Sequence, residues 1–284
     1  MIGVKTRFAG IEGASLYYEM TGEGPWLILV HAGIADRRMW DDQFQAFAAH
    51  YRVVRYDMRG FGKSLMSPGP FSHRRDLYKL LVLLGIKQAH FIGCSMGGQT
   101  VIDFALEHPE MTASLVLVSA SVSGYQFSGA PPAQVLELIT ARKEGDFERA
   151  ADLHVQIWAD GFRRGSAHAD ARVRERVRHM GLESLINQAD FLKETGFVME
   201  EPLTPPAMGR LDRLTVPALV IAGDLDDENV IIEADALAEH IPGARKEIIP
   251  GTAHLPNMEQ PAEFNRLVLE FLRSLWSGVA SSHS

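Results

Sequence analysis

At 284 residues and 46% hydrophobic composition, the chain is long enough to bury one sizeable core and to carry a smaller inserted unit. Its 36 acidic against 28 basic side chains leave a net charge of −8, the wrong sign for a protein that neutralises phosphates, so nucleic acid is not an expected partner. The single cysteine, Cys94, rules out an intrachain disulfide and a thiolate-built metal site and points to a reducing cytoplasm; the first residues, MIGVKTRFAG, lack the apolar run of a signal peptide and no stretch approaches the length of a membrane span, so a soluble chain with no membrane partner is expected.

The first predicted elements lie in TRFAGIEGASLYYEM, two alternating apolar and polar runs that turn at Gly13 and read as a hairpin. WLILVH follows the Gly22-Glu23-Gly24-Pro25 turn as an unbroken apolar run, the pattern of a strand covered on both faces. Next come a helix over DDQFQAFAAH, a strand in YRVVRYD, a helix ending near LVLLG, a strand in AHFIG, a helix over 96–108 and a strand in SLVLVSA. The alternation returns with strand PALVIAG, helix NVIIEADALAEH, strand KEIIP and a last helix opening at Pro261, a favoured first helical residue. Alternating strands and helices predict an α/β fold, with a mostly parallel central sheet and helices on both faces.

Between the two halves, over residues 122–210, the strand signal vanishes and helical segments remain: PPAQVLELITARKEG, DFERAADLHVQIWADGF and DARVRERVRHM. This stretch reads as an inserted helical cap, which assigns residues 1–121 and 211–276 to the core. The small, polar stretch 277–284 reads as a disordered tail. In the cap, Arg172, Arg174, Arg176 and Arg178 form a basic run on a helix whose apolar stripe is Val173, Val177 and Met180, and this run reads as a solvated face.

The sharpest chemical signal is Gly93-Cys94-Ser95-Met96-Gly97-Gly98, of the form G-x-S-x-G, where a strand meets a helix. Such a turn holds the serine in a strained backbone, glycines let neighbouring chain pass close, and the helix points its N-terminal N–H groups at the site. A serine hydroxyl is a weak nucleophile alone and needs a base with an orienting acid. The strand PALVIAG runs into Gly223-Asp224-Leu225-Asp226-Asp227, and KEIIP runs into Gly251-Thr252-Ala253-His254. Both deliver side chains to the edge where Ser95 sits, in the order Ser, Asp, His. Asp226 has the better spacing, with Asp227 as its substitute. Cys94 reads as a small buried residue. Asp224, Asp226 and Glu228 alternate as calcium ligands would, but the glycine such a loop needs is replaced by Asn229.

Taken together, these residues resemble the α/β-hydrolase superfamily, specifically its members with a helical cap inserted after the sixth strand, over nearly the whole chain. Asp57-Met58-Arg59-Gly60-Phe61-Gly62-Lys63-Ser64 matches the D-x-R-G-x-G-x-S loop of that group, and His31-Ala32-Gly33 is close to its H-G-x oxyanion loop. The resemblance implies an oxyanion hole from the backbone N–H of Met96 and one near Gly33, with Ala32 standing where the group usually has glycine. It implies a serine hydrolase that needs no cofactor or metal and acts on a small-molecule ester or lactone. Carbon–carbon cleavage and a ligand-binding receptor that keeps the fold are the alternatives. Tyr125, Phe127, Trp158, Phe162 and Phe191 are candidates for an apolar acyl pocket under the cap.

Overall fold

The structure, a computed structural model, describes residues 3–126, 130–164 and 168–280. Strands β1 (Lys5–Ile11) and β2 (Ala14–Thr21) form the expected antiparallel hairpin. They are followed by β3 (Trp26–Val30), α1 (Asp41–Ala48), β4 (Arg52–Tyr56), α2 (His73–Leu83), β5 (Ala89–Cys94), α3 (Met96–Glu107) and β6 (Thr112–Val118). After a helical stretch with α4 (Ala133–Glu144), α5 (Phe147–His154), α6 (Ala171–Asn187) and α7 (Ala189–Thr195), the alternation resumes. It runs through β7 (Ala218–Gly223), α8 (Glu228–His240), β8 (Arg245–Ile249), the short α9 (Pro256–Glu259) and α10 (Pro261–Ala280). Among the described residues the strands form one eight-stranded sheet, in the order β1-β2-β4-β3-β5-β6-β7-β8. Pairing is antiparallel from β1 to β4 through β2 and parallel from there on.

The unbroken apolar runs have a physical reason, because each central strand divides its side chains between two cores. In β3, Ile28 and Val30 enter the core on one face, and Leu27 and Leu29 enter the core on the other. In β6, Leu115 and Leu117 go one way, Val116 and Val118 the other. Side chains alternate along a strand, so a strand covered on both faces has no polar positions to spare.

Helices α4 to α7 fill the connection between β6 and β7, and they share a small apolar cluster that includes Leu138, Ala151, Leu153, Ile157, Leu185 and Leu192. Val173, Val177 and Met180 of α6 are buried as the stripe predicts. Arg172 keeps the solvated position expected, at 73% side-chain exposure, whereas the other three arginines of that helix are drawn into ion pairs. Arg176 bonds to Asp42 at 2.8 Å and to the Arg38 carbonyl at 2.7 Å, Arg178 bonds to Asp152 at 2.7 Å, and Arg174 pairs with Asp160. Carboxylates on α1, on α5 and at Asp160 capture charges that the helical wheel alone sends to solvent. Helix α10 extends to Ala280, into the stretch 277–284 expected as a tail, and residues 281–284 lie outside the described residues. Among the described residues no helix is long and apolar enough to cross a membrane.

A buried ionic network fastens the hairpin to the sheet. The Arg37 side chain donates to Glu19 and to Asp57, each at 2.8 Å, and Arg55 donates to Glu19 at 2.8 Å. Burial pushes the Asp57 carboxyl up to about 6, the charge of Asp36 adds to this, and Arg37 with the Lys63 and Arg37 N–H groups works against it. Removing one member of such a cluster leaves the others buried without compensation. Arg37→Ala is therefore expected to lower unfolding free energy by about 3 to 5 kcal/mol. The measurement is the urea midpoint at an unchanged dependence on denaturant concentration.

Candidate active site

Ser95 follows the last residue of β5 and precedes the first of α3, with φ 53° and ψ −117°. This left-handed backbone is costly for a residue with a side chain, and it persists because its surroundings fix it. The Ser95 N–H donates to the Val118 carbonyl at 2.9 Å, while the Ser95 carbonyl accepts from Gln99 at 3.0 Å and Ser121 at 3.2 Å. The flanking glycines are a steric requirement. A Cβ on Gly93 would lie 2.4 Å from the Gly97 carbonyl oxygen, one on Gly97 2.4 Å from that of Val30, and one on Gly98 2.4 Å from the Ala120 Cβ. Strands β3, β5 and β6 thus converge on α3, and the turn carries Ser95 out of the packed layer to a partly exposed position.

His254 lies between β8 and α9 and is 3% exposed. Its Nδ1 is 2.9 Å from Asp226 Oδ2 and 3.1 Å from Oδ1, and Asp226 is 1% exposed. A carboxylate only accepts, so the proton sits on Nδ1 and the Nε2 lone pair is left to act as a base. Asp226 is itself held by the Asp227 N–H, 2.8 Å from Oδ1. Asp227 does different work, accepting from the Asn229 N–H at 2.9 Å as the N-cap of α8. The structure therefore brings Asp226, and not Asp227, to His254. Asp224 accepts from the Gly251 N–H at 2.6 Å and ties the two loops together.

His254 also meets the cap. Its ring lies 4.6 Å from that of Trp158, and its N–H donates to the Trp158 carbonyl at 3.4 Å. Trp158 belongs to a single π-helical stretch, Val155–Asp160, a form that recurs at functional sites. Gly161, which ends it, passes so close that a Cβ would sit 2.8 Å from the Leu225 carbonyl oxygen. Cys94 is buried, burial and the nearby Asp226 charge push its thiol up, and it packs beneath the His254 carbonyl.

The His31 ring is fully engaged: Nδ1 donates to the Ala32 carbonyl at 2.9 Å, and Nε2 accepts from the Met58 N–H at 2.9 Å. Burial lowers its pKa to about 4, so it stays neutral and braces the loop. The loop from Asp57 to Ser64 is the other half of this brace. The Ser64 hydroxyl donates to the Asp57 carbonyl at 2.7 Å and accepts from the Tyr17 N–H at 2.8 Å, and Arg59 forks onto Asp76 with two bonds of 2.8 Å.

Ser95, Met96, Gly33 and His254 line one cavity of about 310 Å³. Of the expected acyl-pocket residues, Trp158 lines it. Tyr125 does not, because just beyond β6 it packs onto the main core, and Phe162 packs against the apolar cluster of the cap. Phe191 is likewise not part of the lining, and Phe127 lies outside the described residues. The apolar wall comes instead from Val135, Leu138 and Ile139 on α4 with Leu192 of α7 and Val198. Polar lining residues that the motifs did not mark are His73, Gln99, Ser121, Arg142, Gln188 and Glu200. Behind the site stands Glu233 of α8, 1% exposed, accepting from the Val122 N–H at 3.0 Å where the chain enters the cap, with its carboxyl pushed up to about 7 by burial. A glutamate on the buried stripe of Val230, Ala234 and Leu237 was the signal that could have found it.

Comparison with known proteins adds three observations. The alpha/beta hydrolase fold family profile matches residues 25–261. The chain is 31% identical over 273 residues, 91% of each chain, to a 2-hydroxy-6-oxononadienedioate/2-hydroxy-6-oxononatrienedioate hydrolase of Burkholderia vietnamiensis, and 28% identical to a pimeloyl-[acyl-carrier protein] methyl ester esterase of Aeromonas hydrophila, covering 91% of this chain and 99% of that one. It superposes on the enol-lactonase from Burkholderia xenovorans LB400 with a TM-score of 0.73 at 27% identity, over 94% of this chain and 100% of that one.

The two neighbouring aspartates are separable by experiment. Asp226→Ala is expected to abolish the far-downfield proton resonance of the His254 Nδ1–H in NMR spectra. Asp227→Ala should retain that resonance and cost about 1 kcal/mol of stability through the lost helix cap.

Proposed function

This chain belongs to the alpha/beta hydrolase fold family, and from that premise we propose that it is a serine hydrolase of carboxylic esters, with Ser95 as nucleophile, His254 as base and Asp226 as the acid that orients it. One observation carries the reading: an imidazole bound through Nδ1 to a buried carboxylate shares a cavity with a serine held in a left-handed strand-to-helix turn. In this mechanism His254 Nε2 takes the Ser95 proton as the hydroxyl oxygen attacks the substrate carbonyl. The carbonyl oxygen becomes anionic and is received by the N–H of Met96, which opens α3 and has no partner four residues back, and by the N–H of Gly33. Each such donor contributes about 3 kcal/mol to the transition state. Asp226 stabilises the imidazolium, which passes its proton to the leaving alcohol. Water, activated by the same base, then releases the acid.

A lactone follows the same course with the alcohol still tethered, as the likeness to an enol-lactonase favours. Carbon–carbon hydrolysis of a diketone-like substrate is the second reading, and the 31% identity to the nonadienedioate hydrolase speaks for it. Residues 122–210 act as the cap in this scheme, excluding water from the 310 Å³ cavity, which suits a small, partly apolar substrate. A lone buried thiol at Cys94 accords with a reducing compartment such as the cytoplasm.

Labelling with a fluorophosphonate tests nucleophile and base together. The wild type is expected to gain one adduct by intact mass, and Ser95→Ala and His254→Ala little. On short-chain p-nitrophenyl esters Asp226→Asn should lower kcat by about 10⁴-fold through the wrong imidazole tautomer. A folded wild type that is neither labelled nor active would hand the site to the receptor alternative.

A further inference from the structure

The cavity contains a cation that the proposed hydrolysis does not use. Arg142, in the last turn of α4, lines the same space as Ser95 and His254. Its guanidinium makes two hydrogen bonds to neutral acceptors. Nη1 donates to the Gly196 carbonyl at 3.3 Å, and Nη2 donates to His154 Nε2 at 2.8 Å. His154 is itself buried, and burial together with the Arg142 charge holds its pKa well below the ordinary value, so it brings no charge. The remaining nitrogen, Nε, is buried and has no partner. Among the described residues no carboxylate lies within 4.0 Å of Arg142, although most other arginines around the cap reach one.

A partly buried charge without a counter-ion is costly, and proteins tend to pair such groups. Burial alone depresses Arg142, to about 10, so it remains a cation at neutral pH. The cavity's own carboxyl does not serve it: Glu200 accepts from the His73 N–H at 2.8 Å, and its pKa is raised by burial, with the opposing charge coming from Arg74. The cation therefore faces a cavity whose lining includes the apolar Leu138 and Ile139 of its own helix and Phe197, over whose ring the guanidinium lies 5.8 Å from the centroid. A low-dielectric wall strengthens any ionic contact that a ligand makes there.

Building on the serine hydrolase reading, we propose that Arg142 is the anchor for a carboxylate at the far end of the substrate, so that the preferred substrates are esters or lactones of acids carrying a second, free carboxylate. A guanidinium with no charge partner suits that group, and a cation in the cavity wall discriminates against a ligand that lacks the opposite charge.

The test compares monomethyl with dimethyl glutarate and adipate, measuring kcat and KM for wild type, Arg142→Lys and Arg142→Gln. The wild type is expected to favour the monoacid esters in kcat/KM by about tenfold or more, chiefly through KM. That ratio should collapse toward one in Arg142→Gln and survive in part in Arg142→Lys. If Arg142→Gln does not fold, competitive inhibition of the wild type decides: glutarate should inhibit at least about tenfold more tightly than glutaramide. Equal use of mono- and diesters, or a ratio unchanged in Arg142→Gln, overturns the anchor and leaves the hydrolase reading standing. An unlabelled Ser95 overturns the hydrolase reading instead, and the melting-temperature rise with glutarate, present in the wild type and absent in Arg142→Gln, then still reads the anchor.

Discussion

The close approach of four backbone segments at Ser95 is the constraint around which the molecule is organised. Strands β3, β5 and β6 end within contact distance of the first turn of α3, and the glycines at 93, 97 and 98 are the only residue type their spacing admits. The strain of a left-handed serine is held by two hydrogen bonds to the end of β6, one accepted by Val118 and one donated by Ser121, so the turn cannot relax without separating β5 from β6. The two apolar cores on either face of the sheet supply the force that keeps those strands together. Stability of the core and exposure of the Ser95 hydroxyl are one and the same geometric fact.

The brace behind the oxyanion loop extends this logic to charge. His31, neutral through burial, joins the Gly33 loop to Met58, and the loop that follows is fixed by Asp57, which in turn takes two bonds from Arg37. In the proposed mechanism the conspicuous D-x-R-G-x-G-x-S segment makes no bond to the substrate; it braces the loop that carries the Gly33 N–H. Electrostatic stabilisation of a developing oxyanion requires donors that need not reorganise, and a network of buried charges is a rigid way of holding them.

How much of this was legible in the sequence depended on whether the determining interaction was local. The elbow was readable because its glycines are forced by contacts that the strand-to-helix turn itself creates. His254 was readable because the last parallel strand delivers it. Choosing Asp226 over Asp227 by spacing agreed with the geometry, yet the physical reason lies in the next element: Asp227 is consumed as the cap of α8, and the Asp227 N–H fastens Asp226. The acyl pocket was read poorly, because aromatic content does not say which core a side chain joins. Tyr125 and Phe162 were taken by the main and cap cores, while Val135, Leu138 and Ile139, an ordinary helical stripe in the sequence, face the cavity.

The cap is tied to the core by apolar packing, with Val155, Ala159, Val173, Val177 and Met180 in the cluster that holds Met39 and Trp40, and at its rim by polar contacts that bear on how a substrate enters. Gln188 donates to the Gly60 carbonyl at 3.1 Å, Asn187 accepts from the Met66 N–H at 3.0 Å, and Arg176 reaches the Arg38 carbonyl. Such contacts can be exchanged for water at small net cost, whereas the buried clusters on either side of the sheet cannot. The Trp158 stretch differs from them. It rests on the His254 ring and is pinned by Gly161 against the Asp226 loop, so any outward swing of the cap has its fulcrum beside the base. For the proposed reaction, a cap that opened at its polar rim while Trp158 stayed seated would admit substrate past α4 without disturbing the Asp226 and His254 pair, and the imidazole tautomer would stay fixed throughout.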